Sequence, residues 1–210
     1  KAQGHDVRVA MPCYKMIETN EAYNVKSKVK SLNVRLGWRN IETSIKQTTI
    51  GKDIPVYLVS APYFESSVDS KSVYVAGSEP YAYFAKAVLD MLRAMKPAWR
   101  PDVIHCNDWH TGVVPNWLET IYRDDPFFAD TATVFTIHNL QYQGIFGHRI
   151  LEIAGIEEHG FLYNPEVCEL ANVVDLLARG IMFSDVVNTV SERYAQEIMT
   201  PEYGERLDPL

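Results

Sequence analysis

The chain has 210 residues, 47% of them apolar, which is enough for one large domain or two small ones with a sizeable core. Its charge is modestly acidic, 20 Lys+Arg against 27 Asp+Glu for a net of -7, so neither nucleic acid nor an anionic membrane is expected as the main partner, since both call for a basic face. No apolar run approaches the roughly 18 residues that span a bilayer, and three widely separated cysteines, Cys13, Cys106 and Cys168, read as reduced thiols and not as a disulfide framework.

Lys1-Ala2-Gln3-Gly4-His5 reads as the end of a helix with a glycine stop, and the chain ends at Leu210 without a terminal element, so it reads as cut from something longer at both ends. Asp6–Met11 alternates and meets Pro12, as a strand running into a loop does. Lys26 to Tyr57 is rich in Val, Ile and Thr, with turn signals at Gly37 and Gly51-Lys52-Asp53; it predicts two or three strands joined by hairpins, partly antiparallel, with Lys26, Lys28 and Lys30 facing solvent. Ile54–Ser60 is a further strand. Pro62-Tyr63-Phe64-Glu65 reads as a loop, and Ser66–Gly77 as a polar connection. Pro80–Lys96 is the clearest helix: Pro80 suits a first turn, and Tyr81, Phe84, Ala85, Val88, Leu89, Leu92 and Met95 fall on one core-facing stripe. Val103–Cys106 is a short buried strand, and Gly112–Tyr122 a helix with Val113, Val114, Trp117, Leu118 and Ile121 inward. Ala132–Ile137 is an uncharged β-branched strand. Glu152–Glu166 reads as short helical pieces and turns, Leu170–Phe183 as a longer helix and Asp185–Val190 as a strand. Ser191 caps a last helix running to Met199, which Thr200-Pro201 stops. This alternation predicts an α/β fold: a Rossmann-like, mainly parallel sheet with helices on both faces plus a β-hairpin insertion.

In such a sheet, ligands bind outside the carboxyl ends of the strands. Three strand ends carry polar clusters: Asn107-Asp108-Trp109-His110-Thr111, His138-Asn139 and Ser191-Glu192-Arg193. Parallel strands place all three on one edge. The first of these mixes a carboxylate, an indole and an imidazole, which suits a sugar, because carboxylates and amides grip hydroxyls while an aromatic face stacks on a pyranose ring. Plainer readings stand beside this one. Asp108 could cap the helix at 112, Trp109 could be core, His138 could cap a strand, and His105, inside a strand, reads as a core histidine with its hydrogen bonds met. Metal binding by His105, Cys106, Asp108, His110 and His138 is disfavoured, because alternation sends His105 and Cys106 to opposite faces and the spacing matches no standard zinc pattern. A Ser-His-Asp hydrolase would need a G-x-S-x-G elbow, which the chain lacks. A Cys106 nucleophile paired with His138 or His110 is weaker still.

Val103-Ile104-His105-Cys106-Asn107-Asp108-Trp109-His110-Thr111 resembles the H-x-[HN]-D-W-H-[TA] segment of bacterial glycogen synthases and plant starch synthases, glycosyltransferase family 5. Val134 to Gly144 is similar to that family's V-F-T-[IV]-H-N-L-x-Y-Q-G, Asn188 to Ile198 to its T-V-S-x-x-Y-A-x-E-I, and Gly4 to Tyr14 to its G-H-[DE]-V-x-V-x-x-P-x-Y. Ser191-Glu192-Arg193 departs from the family's usual Ser-Pro-Thr, and Ser66–Gly77 lacks its Asp-Arg-Pro-Gly run. The resemblance implies the GT-B fold, two Rossmann-like domains facing a cleft. Residues 1–210 would be the N-terminal, acceptor-side domain, truncated at both ends, with the Lys-x-Gly-Gly-Leu loop before Lys1 and the C-terminal nucleotide-binding domain absent, and with the fragment inactive alone.

The activity implied for the full-length parent is retaining transfer of glucose from ADP-glucose or UDP-glucose to the 4-hydroxyl of an α-1,4-glucan. No cofactor or metal is implied beyond the donor substrate. In that reading His138 is catalytic, lining the donor-sugar pocket, and Asn139 binds sugar hydroxyls. Asp108 and Trp109 face the acceptor, and Tyr142 and Gln143 shape the loop beneath. The expected partners are the glucan and the sugar nucleotide, and the expected location is the cytoplasm, or the plastid stroma for a plant protein. The alternatives are a sucrose synthase-like transferase, a non-catalytic glucan-binding module and a metal-dependent hydrolase.

Overall fold

A computed structural model describes residues 3–65, 75–95, 99–157 and 173–210. The chain divides into two compact units, Lys1–Trp99 and Arg100–Leu210.

The first unit holds β1 (Val9–Pro12), α1 (Lys15–Glu18), β2 (Lys26–Leu36), β3 (Arg39–Ile50), β4 (Ile54–Ser60), α2 (Pro62–Glu65) and α3 (Glu79–Ala94). Its sheet has the order β1-β4-β3-β2. β1 lies parallel to β4, with Val9 opposite Val56, and the two hairpins β2–β3 and β3–β4 are antiparallel. The expected hairpin turns are at Gly37 and Gly51, whose φ values of 57° and 60° are ones that glycine adopts without a Cβ penalty. Lys26, Lys28 and Lys30 are exposed, as their alternation requires. Val34, Leu36, Ile45, Val56 and Leu58 are among the buried positions of the sheet, and Tyr57 and Val59, which alternate with them on β4, are buried as well. α3 supplies Tyr81, Phe84, Ala85, Leu89 and Leu92 from the expected stripe, and Tyr83 and Met91 are buried as well. Its apolar face is therefore wider than the stripe alone. Pro62–Glu65, expected as a loop, is a helical turn; the proline that argued for a break sits at its first position, where a missing N–H costs nothing.

The second unit holds β5 (Val103–Asn107), a 3₁₀ turn (Trp109–Thr111), α4 (Val113–Glu119), β6 (Ala132–Ile137), β7 (Ile145–Gly147), α5 (Arg149–Ala154), β8 (Val173–Asp175), α6 (Leu176–Phe183), β9 (Val186–Thr189) and α7 (Glu192–Glu197). β5, β6 and β9 make a parallel sheet in the order β5-β6-β9, and β7 pairs antiparallel with β8. Parallel strands thus occur in both units, β1–β4 beside the hairpin insertion in the first and β5-β6-β9 in the second, as the expected α/β class requires.

One face of the parallel sheet is core. Cys106 and Phe135, neighbours in register, are both buried, and α6 comes so close that a Cβ on Gly180 would lie 2.2 Å from the Phe135 ring. Asp185 ties β9 to β6 by accepting from the Thr133 amide at 2.7 Å and its hydroxyl at 2.8 Å. The other face carries His105, Asn107, Thr136 and Asn188. His105 is therefore exposed and not a core histidine; its Nε2 lies 2.6 Å from Thr136 Oγ1, which donates to Asn188 Oδ1 at 2.5 Å. Cys106, one residue on, takes the buried side. Ile121 is likewise exposed, because α4 ends at Glu119. The helix expected over Leu170–Phe183 begins only at Leu176, because Val173–Asp175 pair with β7 as strand β8; the connection 66–74, the segment 158–172 and Cys168 lie outside the described residues.

Candidate functional site

β5 and β6 end side by side, with Asn107 opposite Thr136. The next residue, Asp108, donates its amide to the Thr136 carbonyl at 3.0 Å, which carries the pairing one step past the strand. Its backbone then turns to φ 54°, ψ -179°, a conformation that glycine tolerates and that costs another residue on the order of 1–3 kcal/mol. Contacts on every side hold it there. Thr111 Oγ1 accepts from the Asn107 amide at 2.7 Å and donates to the Asn107 carbonyl at 3.0 Å, closing the turn from below. The Asp108 carboxylate does not cap the following helix. Its Oδ1 reaches across to the next strand and accepts from the His138 amide at 2.8 Å.

His138 is thus gripped twice, by its backbone through Asp108 and by its ring through Asn107, whose Oδ1 lies 2.9 Å from His138 Nε2. Asn107 was visible in the sequence only as a strand-end residue, since nothing local shows which neighbouring strand an amide will reach. The His138 ring is exposed at the sheet edge. Asn139 turns the chain by accepting the Gln141 amide on its Oδ1 at 3.0 Å. Tyr142, 66% exposed, stands at the tip of that turn. Gln143 faces away from the tip: its side chain donates to the Glu205 carbonyl at 2.8 Å, and its carbonyl accepts from the Leu177 amide at 2.9 Å. Tyr194 of α7 braces the same loop from behind, its hydroxyl accepting the Leu140 amide at 2.8 Å.

Trp109 is half-buried. Its ring stacks on His110, 3.9 Å between centroids, with Phe146 at 5.3 Å, and it lies so close over Gly144 that a Cβ there would come within 2.5 Å. Gly144 has φ 66°, so that position asks for glycine on two counts. Burial lowers the His110 pKa, against the opposing pull of Asp108, and favours a neutral imidazole. Burial also pushes the Cys106 thiol up to about 12, which leaves it protonated and without nucleophilic character.

The structure therefore gathers Asp108, Trp109, His138, Asn139 and Tyr142 around two adjoining strand ends, with Gln143 beneath. The third cluster does something else. Ser191 Oγ caps α7 by accepting the Tyr194 amide at 3.3 Å, and Arg193 pairs with Glu197 at 2.7 Å. Among the described residues no group of three His, Cys, Asp or Glu side chains could hold a metal ion, and no helix is long and apolar enough to cross a membrane.

A family model described as the starch synthase catalytic domain matches residues 1–210. The glycogen synthase of Desulforudis audaxviator is 44% identical, over 97% of this chain and 40% of that protein. Those of Thermotoga maritima and Moorella thermoacetica are 39% and 42% identical, over 99% and 100% of this chain and 43% and 41% of theirs. The chain thus spans about two-fifths of the length of the curated relatives it matches. In fold it is similar to the catalytic domain of starch synthase IV from Arabidopsis thaliana bound to ADP and acarbose, with a TM-score of 0.82 at 24% identity, covering 99% of this chain and 42% of that one.

Proposed function

The chain belongs to the starch synthase catalytic domain family, and from that premise we propose that the protein containing it elongates an α-1,4-glucan with glucose from ADP-glucose, retaining the anomeric configuration. The bond from the anomeric carbon to the diphosphate oxygen breaks, and the acceptor 4-hydroxyl oxygen bonds to that carbon on the same face. The hydroxyl proton passes to the leaving phosphate. No metal or cofactor takes part in this scheme. Because proton transfer is internal to the substrates, the protein's task is to position them and to stabilise charge.

The observation that carries this reading is the double grip on His138 at the ends of two neighbouring parallel strands. A site that must hold a sugar in one pose needs groups whose own freedom has already been removed. His138 borders the donor glucose, and Asn139 binds its hydroxyls. Asp108, with Oδ1 engaged on the His138 amide, offers Oδ2 toward the acceptor beside the Trp109 indole, and Tyr142 closes the rim. Residues 1–210 form the acceptor-side half in this scheme, and the diphosphate is held by the part of the protein outside this chain.

The test is glucan elongation by the full-length protein. With ADP-glucose and glycogen it should release ADP and lengthen α-1,4-linked chains. ADP release without an added glucan, or transfer to fructose in place of glycogen, would overturn the assignment.

A further inference from the structure

The geometry points to Asn107 as the positioning residue that fixes which nitrogen of His138 faces the ligand. Asn107 is the last residue of β5, and its backbone is pinned by the two hydrogen bonds with Thr111 Oγ1. Asp108 Oδ1 holds the amide of His138. What remains free in His138 is rotation of the ring and the choice of tautomer, and the contact between Asn107 Oδ1 and Nε2 removes both. An amide oxygen can only accept a hydrogen bond, so Nε2 carries the proton. In the neutral ring Nδ1 then presents a lone pair on the side away from Asn107, and His138 meets its ligand as a hydrogen-bond acceptor for a sugar hydroxyl. Asp108 sets where the residue stands and Asn107 sets what it offers, and neither job can be done by the other. Asn107 itself touches no reacting atom.

This inference rests on the reading of His138 as the donor-sugar residue, and the test separates the two. In the full-length protein labelled with ¹⁵N-histidine, long-range ¹H–¹⁵N correlation reads the tautomer directly, the His138 signals being those lost in His138→Ala. Wild type should show Nε2–H. Asn107→Asp, which keeps an acceptor oxygen in place, should show it too. Asn107→Leu should lose the preference, and its kcat should fall about tenfold, roughly 1.4 kcal/mol of barrier, with the KM for glycogen unchanged. A neutral ring protonated at Nδ1 in wild type, or loss of Nε2–H in Asn107→Asp, overturns the inference, and so does an unaltered tautomer or wild-type kcat in Asn107→Leu. Should the leucine variant fail to fold, the wild-type and aspartate spectra decide alone. Wild-type kcat in His138→Ala would remove the donor-site reading and leave the tautomer assignment standing.

Discussion

The ends of β5 and β9 each lead into a polar cluster, Asn107-Asp108 and Ser191-Glu192-Arg193, and the structure uses them in opposite ways. After β9, Ser191 turns inward on its own chain and caps α7. After β5, Asn107 and Asp108 turn outward and grip the neighbouring strand's His138. The first is local bookkeeping of orphan amides at a helix start, a task any small polar residue can do. The second holds Asp108 at φ 54° against its own preference. Strain kept in place by contacts on every side marks the end where geometry matters. Asp175 adds a middle case: it caps α6 like Ser191, with Oδ1 accepting the Ala178 amide at 2.9 Å, but does so under cover, and burial raises its pKa to about 6.

Removing the carboxylate at the strained end should have the largest effect. Asp108→Ala is expected to lower kcat by more than tenfold, because the His138 backbone loses its anchor, and to destabilise the protein by about 1–3 kcal/mol. Asp108→Gly should lose as much activity and yet be more stable than the alanine variant by about 1 kcal/mol or more, since glycine accepts the backbone conformation. Urea midpoints of the two full-length variants make the comparison, and a glycine variant less stable than the alanine one would show that Asp108 is not strained.

The half-buried cap should show itself through pH. Asp175 has a folded pKa near 6 against an ordinary 3.8, so its contribution to stability is fully present below the ordinary value and is lost as pH rises through about 6. Stability should decline between about pH 4 and pH 7, by up to roughly 3 kcal/mol, and Asp175→Asn should flatten that slope while keeping the cap. An equally steep slope in the asparagine variant would place the titration elsewhere. The exposed cap should matter least: Ser191→Ala should cost about 1 kcal/mol in the urea midpoint and leave kcat untouched. A large loss of turnover there would erase the contrast between the two strand ends.

The same contrast explains what could be read from the sequence. Helix α3 and strands β5, β6 and β9 were legible because each carries its own period or its own run of β-branched residues. Ser191 was legible because a cap satisfies amides of its own chain. His105 was misassigned because alternation tells which residues share a face but not which face is covered. Asn107 was legible as part of a polar cluster but not as the partner of His138, for a related reason: that partner lies 31 residues away, just past the adjacent strand, and only the pairing of β5 with β6 brings them together. β7 and β8, three residues each, are too short for a pattern.

The most direct test is turnover of His138→Ala in the full-length protein, followed as glycogen-dependent ADP release. The expected result is a kcat lowered by well over tenfold, at least about 1.4 kcal/mol of barrier, with the urea midpoint close to wild type because the ring is exposed. Near-normal turnover in a folded variant would contradict it and move the donor site away from the ends of β5 and β6.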